Sequence, residues 1–188
     1  MLGTPVPASV SSSTADLHGT VPGSDPGSDL RRLWARLSAL PGGRWLFSRL
    51  LGWRIPYSGS IRPEVRELAS GTAAVSLAER RAVRNHLGSV HAIALANLGE
   101  LTTGLALVPS LPPGVRGIVT GLEVDYRKKA RGRLICRAVV ELPGEVPDRL
   151  EHRVAADITD ADGDVVARVE ARWLLSSRSS SRTQESAS

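Results

Sequence analysis

A nineteen-residue segment near the middle of the chain places the strongest constraint on the fold. Between residues 89 and 107, Ala, Ile, Leu and Val occupy every side of a helical projection, and Glu100 is the only charged residue. A helix that is apolar all round belongs in a protein core rather than at a surface. Pro109, Pro112 and Pro113 end the segment. The sequence therefore predicts one buried helix that carries a single carboxyl group.

The residues after this helix alternate between apolar and polar side chains, as half-buried strands do. Four strands are predicted, with these apolar faces: Leu122, Val124 and Tyr126; Leu134, Cys136, Ala138 and Val140; Leu150, Val154, Ala156 and Ile158; and Val165, Ala167, Val169, Ala171 and Trp173. Asp162-Gly163 predicts a hairpin between the last two strands. Two further strands are predicted within residues 61–82, broken near Ser70-Gly71. The pattern predicts an α+β fold in which one antiparallel sheet wraps around the buried helix.

Residues 30–54 form a separate unit that is rich in arginine and tryptophan. The segment holds six arginines and no acidic residue. Asp29 is the predicted N-cap of a first amphipathic helix, which Pro41-Gly42-Gly43 ends before a second short helix. Two interpretations are open. The segment is either a helical extension packed on the main domain with its arginines in water, or an amphipathic surface that lies on a membrane.

Composition limits the remaining possibilities. Residues 55–175 carry sixteen basic and fifteen acidic residues, so the net charge of +5 comes from the preceding segment, and we predict no nucleic-acid partner. The single cysteine, Cys136, excludes an internal disulfide and a cysteine-based zinc site. No secretory signal or membrane-spanning helix is predicted, which favours a cytoplasmic protein. Residues 1–29 and 176–188 are polar and are predicted to be disordered tails.

A motif stands directly before the buried helix. Asn85, Gly88 and His91 form the pattern Asn-x-x-Gly-x-x-His, and Glu100 follows nine residues after the histidine. On the central helix of a β-β-α-β-β-β-β chain, this motif resembles the hotdog-fold acyl-CoA thioesterases. The similarity is to the phenylacetate-type and 4-hydroxybenzoyl-CoA-type enzymes, and most of all to a less characterised thioesterase-like branch of that superfamily. The resemblance covers residues 55–175. It implies a hotdog fold and hydrolysis of acyl thioesters of coenzyme A or an acyl carrier protein, with no cofactor.

The resemblance also implies roles for four residues. Glu100 would act as general base or nucleophile, and the backbone N–H of Ala92 would polarise the thioester carbonyl at the helix start. His91 and Asn85 would position the thioester. Many relatives have glycine where this chain has Ala92. That difference favours an alternative hypothesis, in which the protein binds acyl groups or acyl-CoA without hydrolysing them.

A second set of residues is predicted to contact the substrate: Gly88, Asn97, Thr103, Arg127, Lys128 and Lys129. Asn97 and Thr103 lie within a turn of the carboxylate, so they would orient it or satisfy each other. The basic run 127–133 is either a solvated loop or a clamp for the phosphates of coenzyme A. The acidic run 160–164 faintly resembles a calcium loop, but its twelfth position is Ala171, so we predict a hairpin turn and no metal.

The spacing of the motif predicts how many chains build the site. Nine residues place Glu100 about half a turn round the helix from His91 and ~13 Å along its axis. One helix cannot bring both side chains to one carbonyl, whereas two antiparallel copies across a two-fold axis can. We therefore predict a homodimer or a tetramer. Simpler interpretations also stand: the carboxylate is held by Arg84 or Arg116, and the histidine only caps the helix.

Overall fold

The structure, a computed structural model, describes residues 25–177. The helices are α1 (Pro26–Ser38), α2 (Gly43–Arg54), α3 (Pro56–Ser60) and α4 (Ala92–Leu107). The strands are β1 (Glu64–Ala69), β2 (Thr72–Ala78), β3 (Val115–Tyr126), β4 (Arg133–Val139), β5 (Arg149–Thr159) and β6 (Val165–Ser177). Short 3-10 turns at Arg81–Val83 and Val108–Ser110 flank α4 on either side.

The six strands form one antiparallel sheet in the order β1-β2-β4-β5-β6-β3. The hairpin between β5 and β6 turns at the predicted position, where Asp160 Oδ1 accepts hydrogen bonds from the backbone N–H groups of Asp162 and Asp164. The break between β1 and β2 also falls at Ser70-Gly71. The predicted α+β architecture, a sheet wrapped around one buried helix, is confirmed.

Helix α4 packs against β2, β4, β5 and β6 through an almost entirely apolar surface. A Cβ atom at Gly99 would lie 2.3 Å from Cγ2 of Val169, so the helix backbone rests directly on β6 and only glycine fits there. The segment Ala92–Ser110 is long and apolar enough to cross a membrane, contrary to the expectation that no such segment exists. Since 67% of it is buried inside the protein, it is better explained as a core helix.

Helix α1 begins earlier than the sequence analysis predicts. Asp25 is its N-cap, and its carboxylate accepts hydrogen bonds from the N–H groups of Gly27 and Ser28, both at 3.3 Å. The predicted N-cap, Asp29, lies in the first helical turn instead. Proline fits the first position of a helix, which is why the Asp25-Pro26 pair starts it. The predicted tail 1–29 is therefore wrong for residues 25–29, and residues 1–24 lie outside the described chain.

At the other end of the domain, β6 continues to Ser177, two residues past the predicted boundary at 175. The rest of the predicted tail 176–188 lies outside the described residues.

The helical extension packs on the main domain, as the first interpretation predicts. Phe47 is fully buried and meets Trp34 edge to face, with ring centroids 5.0 Å apart. Ser48 Oγ accepts a hydrogen bond from the backbone N–H of Val65 on β1 at 2.9 Å. Trp45 and Trp53 nevertheless remain 60% and 81% exposed. Packing on the domain therefore leaves an apolar outer surface uncovered.

Strand β3 lies at one edge of the sheet and is only partly covered. Val124 packs against the core, whereas Leu122 and Tyr126, which belong to the same predicted apolar face, are exposed. Ile118 on the same strand is exposed as well. An edge strand with exposed apolar side chains and unpaired backbone groups is a ready surface for another strand.

Candidate functional site

Glu100 lines a cavity of about 550 Å³ between α4 and the helical extension, which is the first of two cavities at the predicted site. Most of the residues around this cavity are apolar, and they come from α1, α2, α4 and β6: Leu30, Leu33, Leu51, Leu101, Leu105 and Trp173. Asp29, Arg54 and Ser58 add polar groups at its boundary. The first cavity is thus an apolar chamber with one carboxyl group from the core helix.

The Glu100 carboxylate has no partner among residues 25–177. Arg84, which was a predicted partner, pairs with Glu79 at 2.6 Å, and Arg116 makes no ion pair with Glu100. The interpretation in which an arginine holds the carboxylate is therefore wrong for the described residues of a single chain. Burial without a compensating charge raises the pKa of Glu100, because desolvation disfavours the ionised form.

His91 caps the start of α4. Its Nδ1 accepts a hydrogen bond from the N–H of Ile93 at 3.1 Å, and its own backbone N–H donates to the carbonyl of Val83 at 2.8 Å. A neutral His91 in this geometry carries its proton on Nε2, which stays available as a donor. Ala92 is the first helical residue, and within residues 25–177 its N–H has no acceptor. The start of α4 thus offers a free backbone donor beside an imidazole.

Tyr126 was not predicted as a site residue, yet it reaches the same helix start. Its hydroxyl donates to the carbonyl of Ala92 at 3.1 Å, and burial raises the pKa of the phenol. The sequence shows it only as the last residue of an alternating strand. That pattern carries no information on which helix end the strand will meet.

The loop before α4 is shaped by Asn85 and Gly88. Asn85 Oδ1 accepts hydrogen bonds from the backbone N–H groups of Leu87 (2.9 Å) and Ser89 (3.2 Å), and from the Ser89 hydroxyl (3.3 Å). Gly88 has a φ of 67°, a left-handed conformation that favours glycine. Both residues therefore hold the loop in place, and their predicted contact with substrate remains a prediction.

Replacing Asn85 with alanine should lower the free energy of unfolding by roughly 1–2 kcal/mol, because three donors of the loop, two of them on the buried Ser89, lose their acceptor. Asn85→Asp keeps the oxygen acceptor and should remain close to wild type in stability. Chemical denaturation of the two variants measures the difference. If both variants unfold at the same denaturant concentration as wild type, the loop does not depend on this side chain.

Asn97 and Thr103 do not orient the carboxylate, so that expectation is wrong. Thr103 Oγ1 donates to the backbone carbonyl of Glu100 at 2.8 Å, as hydroxyl side chains inside helices often do. Asn97 Nδ2 donates to the carbonyl of Tyr57 at 3.3 Å. The two side chains do not bond to each other either. Asn97 and His91 instead both line a second cavity, of about 270 Å³.

Within a single chain, the two halves of the predicted site therefore lie apart. The second cavity contains the start of α4, and the first contains Glu100. Neither cavity includes both the carboxylate and the free N–H of Ala92. This separation follows from the length of helix between them.

The basic run 127–133 is partly neutralised. Arg127 Nε binds Asp125 at 2.8 Å, and Lys128 Nζ binds both Asp160 and Asp164 of the β5–β6 turn. The acidic β5–β6 turn, which faintly resembles a calcium loop, therefore binds a lysine side chain. Among residues 25–177, no group of three or more His, Cys, Asp or Glu side chains is arranged to hold a metal ion. Lys129 is exposed and has no ion-pair partner in the described chain, so it is the free cation of the three predicted contacts.

The apolar wall that the extension contributes to the first cavity was missed by the sequence analysis. Leu30 and Leu33 of α1 and Leu51 of α2 form this wall. An amphipathic stripe shows that a helix covers something apolar, but not which part of the domain it covers. The extension is therefore part of the candidate site.

The strand order and the single helix packed on the sheet define the hotdog fold, as the resemblance of the motif predicted. The comparison with family models agrees: residues 43–175 match the Domain of unknown function (DUF4442), and the chain belongs to this family. No curated protein matches the chain significantly.

Solved structures support the fold. The structural-genomics protein APC5556 is 33% identical, with a TM-score of 0.68, over 79% of this chain and 97% of that protein. PA5026 from Pseudomonas aeruginosa, a protein of unknown function and probable thioesterase, is 24% identical with a TM-score of 0.65, over 74% of this chain and 97% of its own. A thioesterase family protein from Silicibacter pomeroyi is 19% identical with a TM-score of 0.59, over 69% and 96% of the two chains.

Proposed function

We propose that the protein hydrolyses acyl thioesters of coenzyme A or of an acyl carrier protein, with Glu100 as general base or nucleophile. The observation that carries this proposal is a carboxyl group with no partner in the described chain, facing an apolar chamber. The thioesterase names of several fold relatives agree with it. Steady-state hydrolysis over a panel of acyl-CoA substrates tests the proposal, and a protein that binds them all without turnover contradicts it.

The chemistry requires an oxyanion donor in addition to the carboxylate. As general base, Glu100 takes a proton from water while the water oxygen bonds to the thioester carbonyl carbon. The carbonyl oxygen then carries negative charge, which a free N–H at a helix N-terminus stabilises. The C=O double bond then re-forms as the C–S bond breaks, and the leaving sulfur takes the proton that Glu100 removed from water, which restores the carboxylate. Ala92 supplies the N–H, with the His91 Nε2–H beside it to position the thioester.

We propose that the donor and the carboxylate come from different chains of a homodimer. Edge strand β3 offers exposed apolar side chains for pairing, with Leu122 and Tyr126 on one face and Ile118 on the other. Tyr126 also connects this strand to the start of α4. Each of two sites would then combine Glu100 of one copy with Ala92 of the other. Two such dimers could also assemble into a tetramer, and the same sites would remain.

The first cavity is the proposed binding site for the acyl group. Its volume of about 550 Å³ lies within the range of ordinary small-molecule sites, and its walls are mainly apolar, with five leucines and one tryptophan. Such walls suit an aliphatic or aromatic acyl group, which would be held by burial of apolar surface. The helical extension therefore contributes to acyl specificity in this proposal.

The activity should depend on pH through Glu100. A general base must be ionised, so kcat/KM should rise with pH as Glu100 loses its proton. Because burial raises the pKa of this carboxyl, the acidic limb should lie above the ordinary glutamate value of about 4.3. A pH profile of kcat/KM measures the pH at which this acidic limb lies. An acidic limb at or below the ordinary value would mean that the ionising group is not buried.

The difference at Ala92 supports one alternative, a non-catalytic hotdog protein that binds acyl groups. The methyl group at this position would stand next to the N–H that must approach the carbonyl oxygen. Saturable acyl-CoA binding with no thiol release, by wild type and by Ala92→Gly alike, would favour the alternative. Faster turnover by Ala92→Gly would show instead that the methyl group only hinders a working site.

The exposed tryptophans of the extension support a peripheral membrane contact as an additional property of a cytoplasmic protein. Trp45 and Trp53 are 60% and 81% exposed, and the exposed Arg44 and Arg54 of the same helix have no ion-pair partner among residues 25–177. Tryptophan and arginine together suit the interface of an anionic membrane. Co-sedimentation with anionic vesicles should fall when both tryptophans are replaced with serine, and binding that survives the replacement contradicts the contact.

A further inference from the structure

Three arginines surround the short segment between α3 and β1. Arg49 Nη2 donates to the carbonyl oxygen of Pro63 at 3.3 Å, and Arg80 Nη2 donates to that of Ser60 at 2.7 Å. Arg62 lies in sequence between these two anchor points and is exposed. Together, Arg49, Arg62 and Arg80 form the arginine cluster.

No carboxylate neutralises the arginine cluster within residues 25–177. None of its members takes part in an ion pair of the described chain. The acidic residues closest in sequence are used elsewhere, because Glu64 pairs with Arg66 and Glu79 pairs with Arg84. Three positive charges therefore lie together without a counter-charge from the described chain.

The cluster has further properties of an unfilled anion site. The Nε atoms of Arg49 and Arg80 are buried and have no acceptor, which is costly for charged donors. Burial and the nearby charges of Arg62 and Arg49 lower the pKa of Arg80, so each of these two guanidinium groups lies close enough to repel that of Arg80. Arg62 has a φ of 52°, and no other non-glycine residue of the described chain has a positive φ. An anion would relieve the repulsion and satisfy the orphan donors.

The position of the cluster indicates which anion it would meet. The segment that anchors it includes Ser60 and Ile61, and both residues line the second cavity together with His91. That cavity contains the start of α4, where the proposed function places the thioester carbonyl. A carrier arm that leaves the thioester along this cavity would reach the cluster at its edge.

We propose that the arginine cluster binds the phosphate groups of the thiol carrier, coenzyme A or phosphopantetheine. Guanidinium groups match phosphate oxygens with paired hydrogen bonds, which ammonium groups do not. The cluster then takes the role that the sequence analysis gave to Arg127 and Lys128, whose charges are paired with carboxylates. This inference rests on the proposed function, since the carrier is what the thioester site would accept.

The test measures equilibrium binding of three probes to the full chain by calorimetry: coenzyme A, phosphopantetheine and pantetheine, which has no phosphate. The variant is Arg62→Gln, because this side chain holds no other part of the described structure. The matched control is Arg137→Gln, an exposed arginine on β4. Arg62→Gln should weaken coenzyme A binding about tenfold and leave pantetheine binding unchanged, since one charged contact is worth roughly that factor. The control should bind all three probes as wild type does.

Several results would overturn the inference. These are unchanged coenzyme A binding by Arg62→Gln, an equal loss in Arg137→Gln, or a wild type that binds coenzyme A no more tightly than pantetheine. Loss of binding to phosphatidylglycerol vesicles without loss of coenzyme A binding would assign the cluster to lipid phosphates instead. Failure of the proposed function is distinguishable, because a protein that cannot hydrolyse acyl-CoA can still show the Arg62-dependent binding. If Arg62→Gln weakens the binding of phosphopantetheine as well as that of coenzyme A, the arginine cluster binds the phosphate that both carriers share.

Discussion

The Glu100→Gln variant should lose about a thousandfold of the thioesterase activity and yet unfold at a higher temperature than wild type. The amide cannot accept the proton of the attacking water or form a covalent intermediate, and loss of a general base typically costs 10²–10⁴ in rate. The amide also removes an ionised group that is desolvated and has no partner in the described chain. The expected gain is about 1 kcal/mol in the free energy of unfolding at neutral pH, or roughly 2–4 °C in Tm.

The gain in stability should depend on pH with a definite sign. Folding raises the pKa of Glu100, so the folded protein holds its proton at pH values where the unfolded chain has released it. The contribution of this carboxyl to stability is therefore present at low pH and is lost as pH rises through the folded-state pKa. The difference between Glu100→Gln and wild type should accordingly widen from acidic to neutral pH. Thermal melts at a series of pH values measure it.

Glu67→Gln is the matched control, since Glu67 is an exposed carboxylate with no ion pair among residues 25–177. It should keep full activity and a wild-type Tm at every pH. A Glu100→Gln protein that is as active as wild type removes the proposed mechanism. A variant that is inactive and less stable would instead mean that the carboxylate has a structural partner, for example in a second copy of the chain.

Mixed dimers should restore activity that two inactive variants lack by themselves. The second variant is Ala92→Pro, which removes the proposed oxyanion donor. Proline is tolerated at the first position of a helix, and the extended backbone of His91 (φ −65°, ψ 139°) suits a residue before proline. The fold should therefore survive, while activity should fall about 10²–10³-fold through loss of one donor.

Complementation follows from the shared site. In a mixed dimer, the Glu100→Gln chain still has its Ala92 N–H, and the Ala92→Pro chain still has its carboxylate. One of the two sites is then intact, so the purified mixed dimer should recover about half of wild-type activity. Co-expression of the two chains with different tags, followed by tandem purification and assay, measures the recovery.

Homodimers of each variant, purified in the same way, are the controls and should stay inactive. No recovery in a mixed dimer of proven composition would mean that the carboxylate and the donor act within one chain. A wild-type protein that is monomeric at assay concentrations and fully active would contradict the shared site as well.

The sequence predicted some parts of the site because a local pattern was enough. The apolar run around Glu100 predicted both the buried helix and its isolated carboxyl group. A helix cap was the simpler of the two interpretations of His91, and its ring does cap α4. Strand alternation predicted the buried faces of β4 and β6. In each case a helical or strand period reports which side chains share a face.

Other contacts were not predicted because several acceptors compete for one donor. Lys128, a predicted substrate contact, binds Asp160 and Asp164 in a turn that only the sheet brings near, and its contact with substrate remains a prediction. Thr103 was expected at the carboxylate, but its hydroxyl bonds to the helix backbone. Neither outcome is visible in residue type and spacing, because several acceptors compete for each donor and only the folded chain selects one.

The amino-acid sequence by itself determined the core helix with its single acid, the strands around it and the loop motif at its start. Only the tertiary structure decided that the helical extension forms a wall of the cavity at Glu100. It alone also decided that, within residues 25–177, no arginine neutralises this acid and three other arginines lie together without a counter-charge. The reason is physical: periodicity records which side of an element avoids water. What that side meets depends on how distant elements pack.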